Sequence, residues 1–418
     1  MGYVAMITWH LPAVLLANSR NDAVRDADKL RQWVAAQLAT RASPLGSSQG
    51  DDPAGLDDSA GKTALGETNL IGQRLPSASE PSPVASPARA PDWRLIAGDA
   101  SPRRYYRVTL PPGPSAAPQR FIAVDSPASE KNPEFLHIRR LLERAGVRVP
   151  GLIAADVDAG FLLLEDLGDD VLLPILSEHS AGAWYAMALN TLAKLTKVET
   201  AAAGLEYYDG EKLQAELDLF KDWFVLQLLG LNWDAAWEGI FTAFSGCLIA
   251  SALEQPQVVV HRDFHSRNLM VVQNGELAVI DFQDAVIGPI TYDPVSLLKD
   301  CYVHWPRRRQ LAWLLDYRRL LLEQGERAAV DEATFVRWFD LMGLQRHIKV
   351  LGIFARLCLR DGKPDYLADL PVVIGYVREG LQLYGSQLPA VQAFAAWFES
   401  SILPACQQQY WFRMATDP

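Results

Sequence analysis

The sequence predicts an α+β fold, a small antiparallel sheet domain followed by a mostly helical one. Short alternating apolar runs crowd between residues 93 and 167, long amphipathic runs dominate after Gly168, and a turn-rich stretch, HRDFHSRNLMVVQNGELAVIDFQ (261–283), interrupts the helical half. A chain of 418 residues with 49% hydrophobic content has material for two or three folding units with buried cores.

Residues 1–21 are apolar at the start but lack a basic residue before the hydrophobic stretch, and His10 and Pro12 interrupt it, so a secretion signal is not expected. Residues 22–42 place Leu30, Trp33, Val34 and Leu38 at helical spacing, with Asp early and Arg late as the helix dipole favours. From 43 to 91 the composition turns to Ser, Pro, Gly, Ala and Asp, which cannot bury enough surface to offset ordering entropy; a disordered linker is expected. Within it, GLDDSAGKT (55–63) imitates a phosphate-binding P-loop. The spacing is one residue too long, no apolar strand precedes it, and Asp57 and Asp58 would repel phosphate.

The sheet domain spans 92–168. LIAGDASPRRYYRVTL reads as strand, turn, strand, and FIAVD as a third strand. NPEFLHIRRLLERAG carries Phe135, Ile138, Leu141 and Leu142 on one helical face, and VPGLIAAD and GFLLLEDLG close the sheet at five strands. The remainder, 169–418, is helical over 181–199, 211–230, 233–254, 308–323, 334–359 and 385–401. LMVV and LAVIDF flank QNGE, an Asn-Gly hairpin signal set among these helices.

Lys and Arg number 39 against 50 Asp and Glu, a net charge of -11, which argues against a broad nucleic-acid footprint. The four cysteines are scattered in apolar helical stretches, as buried thiols in a reducing compartment are. No stretch reaches eighteen uncharged apolar residues, so no membrane partner is expected and the location is the cytoplasm.

VVV (258–260) reads as a buried strand that delivers His261, Arg262 and Asp263 into a loop. A carboxylate there can align a hydroxyl and take its proton, which phosphoryl transfer needs. Asp263 is the candidate base, and His261 holds the loop by hydrogen bonds. Asn268 and Asp281 offer the hard oxygens that Mg²⁺ on ATP phosphates prefers. Asp284 is close enough in sequence to Asp281 to reach a second metal or the substrate. Singly, such residues cap helices and make turns; the joint pattern matches catalytic-loop and metal-Asp mechanics. The rival reading, a metal cluster of His261, Asp263 and His265, lacks ligands to close the coordination and leaves Asn268 and Asp281 without a purpose.

The order of sheet domain, LLLEDLG (162–168), HRDFHSRN and DFQ resembles the aminoglycoside phosphotransferase family, which implies a two-lobed protein-kinase-like fold from about Trp93 to the C-terminus. The segments AGDASPRRYYRV, FIAVDSP, YDGEKLQAELDLFKDWF, CYVHWP, LQRHIKVLGIFARL and RDGKPDYLADLP are similar to those of a bacterial branch, the anomeric N-acetylmuramate/N-acetylglucosamine kinases of cell-wall recycling. That resemblance implies transfer of the ATP γ-phosphate to an amino sugar's anomeric hydroxyl, with the backbone near Glu165 and Leu167 as the adenine site. Kinases of an aminoglycoside or choline type, and a nucleotide-binding pseudokinase, are the alternatives.

The chain departs from the wider kinase pattern in three places. Asp125 stands about where a phosphate-binding Lys is expected, the glycine loop has only Gly98, and Asp-Phe-Gln replaces Asp-Phe-Gly. Ser101, Arg103, Arg104 and Arg107 offer substitute contacts to phosphate, and alternation favours Arg103 or Arg104. For the acceptor, Glu216, Phe220 and Trp223 fall at i, i+4, i+7, so one face offers a carboxylate and aromatic surface, or simply core. Asp222, Trp305, Arg346, His347 and Lys363 join them by resemblance, with Lys363 or Arg346 facing a lactyl carboxylate. The oligomeric state is not legible.

Overall fold

The computed structural model describes residues 19–42, 90–96, 102–112, 118–127, 130–325 and 330–414. The expected linker (43–89 of it), the P-loop imitation, Gly98 and Ser101 lie outside the described residues. The chain divides into two compact units, one of residues 1–130 and 152–166, the other of 131–151 and 167–418.

The first unit is a sheet with one helix. Helix α1 (Ser19–Ala42) packs its Leu30 and Val34 against the antiparallel strands β1 (Asp92–Ile96), β2 (Arg104–Thr109) and β3 (Arg120–Asp125) and the later pair β4 (Leu152–Asp156) and β5 (Phe161–Glu165). Their order is β1-β2-β3-β5-β4. Val108, Ala123, Phe161 and Leu163 complete this core, and Trp33 lies 5.9 Å from Phe161 between ring centroids. The apolar stripe legible on residues 22–42 is therefore a sheet-covering face.

The second unit is helical around one central helix. Helix α2 (Asn132–Arg144) groups here by packing, although it falls within the 92–168 sheet domain expected from sequence. Its Phe135 stacks on Phe282 at 4.9 Å. After α3 (Ala181–Leu195), the run expected as one helix over 211–230 divides into α4 (Gly210–Leu219) and a π-helix, Phe220–Leu228. Helix α5 (Ala235–Leu253) is long and apolar enough to cross a membrane by length and composition, with Glu238 its one charge, yet it buries Phe241, Phe244 and Leu248 in the core.

Strand β6 (Gln257–Val260), the hairpin β7 (Leu269–Val271) and β8 (Leu277–Val279), and β9 (Val286–Pro289) follow. β6 pairs with β9, and β7 with β8. The hairpin turn uses Gly275 at φ 79°, a conformation that costs glycine little. Then come α6 (Tyr292–Leu298), α7 (Arg307–Glu323), α8 (Glu332–Leu359), α9 (Leu370–Tyr384) and α10 (Pro389–Trp397).

Helix α8 begins on Asp331, whose side chain accepts from the Thr334 N–H, and it is buried all round from Trp338 to Gly352. A helix so enclosed is expected to be apolar, yet it carries Asp340, Arg346, His347 and Lys349, each under 7% exposed. Such groups stay inside only when paired.

Candidate active site

The buried strand β6 feeds residues 261–268, a loop held from behind by its backbone. The N–H groups of His261 and Arg262 donate to the two carboxylate oxygens of Asp293 on α6, at 2.7 and 3.0 Å. Burial dominates at Asp293 and pushes its carboxyl up to about 6, although His261 and the two N–H donors work the other way. The His261 ring bridges the loop: Nδ1 accepts from the Asp263 N–H at 3.2 Å, leaving Nε2 to donate to the Ile280 carbonyl at 3.0 Å. Both ring nitrogens are used in shape-keeping, and Arg262 takes a φ of 75° at the bend.

Asp263 projects from that bend with 45% of its side chain exposed. Burial of the remainder would raise its carboxyl, but the cations Arg346 and Lys349 of α8, with His265 and Arg262, overcome this and hold it well below the usual carboxylate range. Arg346 is 3.7 Å away and donates from Nη1 to the Arg262 carbonyl at 2.8 Å. Asp263 is thus ionised and aimed, as a hydroxyl-orienting base must be.

Asn268 lies one turn on, its Nδ2 donating to the Asp263 carbonyl at 3.0 Å and reaching Asp281 Oδ2 at 3.4 Å. Asp281 leaves β8 at φ 63° and is exposed, and Gln283 Nε2 donates to its other oxygen at 2.8 Å. Its carboxylate has amide neighbours and, among the described residues, no ion pair. A hard divalent cation here would draw on the Asp281 carboxylate and on the Asn268 amide oxygen, the amide turning out of its hydrogen bond to the Asp263 carbonyl. No group of three or more His, Cys, Asp or Glu among the described residues forms a metal cage. Magnesium characteristically takes one or two protein oxygens and completes its shell with phosphates and water, so this donor set suits it.

The acceptor face read as Glu216, Phe220 and Trp223 does not form. Its spacing assumes 3.6 residues per turn, but the backbone widens to π-helical from Phe220, which shifts Trp223 round the axis. Phe220 is fully buried, and Trp223 packs on the large aromatic core of the helical unit. Glu216 accepts from Tyr208 and Arg262 and pairs with Lys349 at 2.9 Å. Its oxygens hold the loop from behind. Glu216 and Asp284 do share the wall of one cavity of about 380 Å³, with Lys131, Glu134, His137, Lys212, Arg262 and Gln283 among its lining. Asp284 there meets Lys131 at 3.2 Å.

Of the phosphate-contact candidates, Arg103 is buried and donates to Ser126 Oγ at 3.0 Å and the Glu130 carbonyl at 2.8 Å. Arg107 clasps Asp166 at 2.6 and 2.9 Å. Arg104, exposed at the start of β2, sits opposite Asp125 across the sheet. Glu165 ends β5, and Leu167 follows it. Among the candidates by resemblance, Asp222 is exposed, Trp305 is buried with its indole N–H on Tyr185, and His347 is buried against Lys299 and Tyr376. Lys363 follows α8, its N–H bonded to the Leu357 carbonyl. Sequence reading missed Asp293, Lys349 and Asp300, whose Oδ2 takes the Ser266 N–H and hydroxyl at 3.0 and 2.5 Å. Only their being acids or bases inside apolar helical runs could have flagged them.

The model of the phosphotransferase enzyme family matches residues 92–332. An N-acetylmuramate/N-acetylglucosamine kinase of Pseudomonas putida is 43% identical over 282 residues, covering 67% of this chain and 81% of that protein. A protein of the same name from Neisseria meningitidis is 37% identical over 309 residues, covering 72% and 90%. Among solved structures, an ethanolamine kinase of Plasmodium vivax aligns with a TM-score of 0.52 at 10% identity, over 69% of this chain and 82% of that one. That likeness is one of fold, and it agrees with the α+β, protein-kinase-like arrangement of a small antiparallel sheet and a helical remainder.

Proposed function

This chain belongs to the phosphotransferase enzyme family, and we propose that it transfers the γ-phosphate of ATP to the anomeric hydroxyl of N-acetylmuramate, N-acetylglucosamine or both, giving the sugar 1-phosphate. The observation that carries the reading is Asp263, ionised and aimed from a clamped loop, with Asn268 and Asp281 3.4 Å apart beside it. The choice of acceptor rests on the relatives that bear those sugars' names.

Asp263 accepts the hydrogen bond of the anomeric hydroxyl, aligns its oxygen with the phosphorus, and takes the proton as the new O–P bond forms and the bond to the ADP oxygen breaks. A hemiacetal hydroxyl is more acidic than an ordinary alcohol, which suits a base of low proton affinity. Asn268 and Asp281 would hold Mg²⁺, which neutralises charge on the phosphates. His261 and Asp293 keep the loop's shape.

The test is incubation of the protein with Mg·ATP and each sugar, with the product's phosphate located by phosphorus NMR. A phosphate on the anomeric oxygen is expected. A phosphate elsewhere on the sugar, or transfer only to an aminoglycoside or choline, overturns the assignment.

A further inference from the structure

Four cations crowd the catalytic loop, and three are committed to protein carboxylates. Arg262 pairs with Glu216, Lys349 with Glu216, and Arg346 with Asp263. The fourth, Arg267, is exposed and makes no ion pair within 4 Å among the described residues, though its charge acts on the Asp369 carboxylate. Its guanidinium carbon lies over Tyr302, 3.5 Å from the ring centroid.

The position ties it to the base. The His265 N–H donates to the Asp263 carbonyl at 3.0 Å, the Asn268 N–H to the His265 carbonyl at 2.9 Å, and the His265 ring meets Tyr302 edge-on at 5.4 Å. Arg267 and Asp263 therefore belong to one tight turn braced on Tyr302. Tyr302 stacks in turn on Phe354, and Phe354 meets Tyr366 at 5.2 Å. Tyr302 and Arg267 thus stand on the turn that carries Asp263, with Phe354 and Tyr366 stacked behind them.

A guanidinium stacked on a ring spends its π face and keeps its in-plane N–H groups, and these are the groups that grip a carboxylate in bidentate fashion. Arg346, the other arginine candidate for this task, is 4% exposed and already donates to the loop backbone. The two proposed acceptors differ in that N-acetylmuramate bears a lactyl carboxylate and N-acetylglucosamine does not. Resting on the sugar-kinase reading above, we propose that Arg267, held by Tyr302, binds the lactyl carboxylate of N-acetylmuramate and sets the preference between the two sugars.

The experiment measures kcat/KM for N-acetylmuramate, its carboxyl methyl ester and N-acetylglucosamine in wild type, Arg267→Met and Arg267→Lys. In wild type the free acid should outrun its ester. Arg267→Met should lower the ratio of N-acetylmuramate to N-acetylglucosamine at least tenfold and abolish the advantage of acid over ester, and Arg267→Lys should keep part of both. An Arg267→Met variant whose ratios match wild type, or whose activity falls equally on all three acceptors, overturns the inference and leaves the kinase reading standing. A wild-type protein that takes only N-acetylglucosamine also overturns it. A wild-type protein inert toward every one of these sugars removes the functional reading and this inference together.

Discussion

Replacing Arg346 by Met isolates what the buried cation of α8 does for Asp263. At 3.7 Å and an effective dielectric of about 20, a unit charge pair is worth about 4.5 kcal/mol before screening. Because 45% of the Asp263 side chain is exposed, solvent cuts that to about 1–2 kcal/mol. The variant also loses the hydrogen bond from Nη1 to the Arg262 carbonyl, 2.8 Å long, and such a bond from a charged donor contributes about 1.5–3 kcal/mol. Where these terms act in the transition state they correspond to a fall in kcat of about 100-fold to a few thousand-fold. Arg346 lowers the carboxyls of both Asp263 and Asp293, so its removal moves both upward and displaces the acid limb of the kcat profile to higher pH. Steady-state turnover at saturating ATP and sugar, across pH, reads both effects, and KM for ATP should change little. A folded Arg346→Met protein with wild-type kcat and an unmoved acid limb would refute the electrostatic account.

Three further expectations follow from the same geometry. Wild-type turnover should decline as pH falls through about 6, where Asp293 takes up a proton and weakens its hold on the His261 and Arg262 N–H groups. The sign for stability is opposite: a carboxyl raised on folding disfavours the fold while ionised, so acidification through about 6 should raise the unfolding midpoint through this group, and Asp293→Asn should remove both that gain and the turnover limb. Asp340, fully buried, meets Lys299 at 2.9 Å, Arg307 at 2.7 and 2.8 Å and the Tyr384 hydroxyl at 3.0 Å. Asp340→Ala strands the buried Lys299 charge and should cost about 3–5 kcal/mol in chemical denaturation, with much of that recovered in Lys299→Met/Asp340→Leu; a loss under about 1 kcal/mol would count against a buried charge cluster. At Gly352 an added Cβ would lie 2.3 Å from the Leu219 carbonyl carbon and 2.6 Å from the Phe220 nitrogen. Gly352→Ala should therefore destabilise the protein by about 1–3 kcal/mol, and an unchanged urea midpoint would show that α8 can back away from the π-helix.

What the sequence discloses depends on how local the physics is. Alternation marks the five strands, Asn274-Gly275 marks the hairpin, and the spacing from His261 to Asp281 marks the loop chemistry, because each signal is completed within a few residues. The brace behind that chemistry is not local. Asp293 sits 30 residues past Asp263 and Arg346 83 past it, and neither has a neighbour in sequence that reports its partner. In a helix, 3.6-residue spacing treats Arg346 and Lys349 as solvent-facing, and only the enclosure of α8 shows that they face inward to Asp263 and Glu216. The π-helix fails for another reason: FKDWFVLQL carries no proline or glycine to announce a change of pitch. Close packing of Gly352 on the Leu219 backbone accompanies that change, and it is a tertiary fact.

The placement of charge around the loop has a direction that suits phosphoryl transfer. Behind it stand the carboxylates of Asp293 and Glu216, buried or nearly so, which neutralise Arg262 and Lys349 and anchor the backbone N–H groups. On the other side Asp263 is half-exposed and Asp281 exposed, and Arg267 is an exposed cation on the same loop. On the proposed function, this placement, with two exposed carboxylates, favours a nucleotide whose phosphates are already paired with a divalent cation over a bare one. It also keeps Asp263 ionised without a mobile counter-ion, because Arg346 approaches from the buried side at 3.7 Å and leaves the exposed oxygen to a hydroxyl. As the proposed base, Asp263 is weak as bases go, and a loose transition state would ask little more of it than alignment until late proton transfer. On that reading the buried charge serves to hold Asp263 still, and the reactivity would come from the acceptor's own acidity.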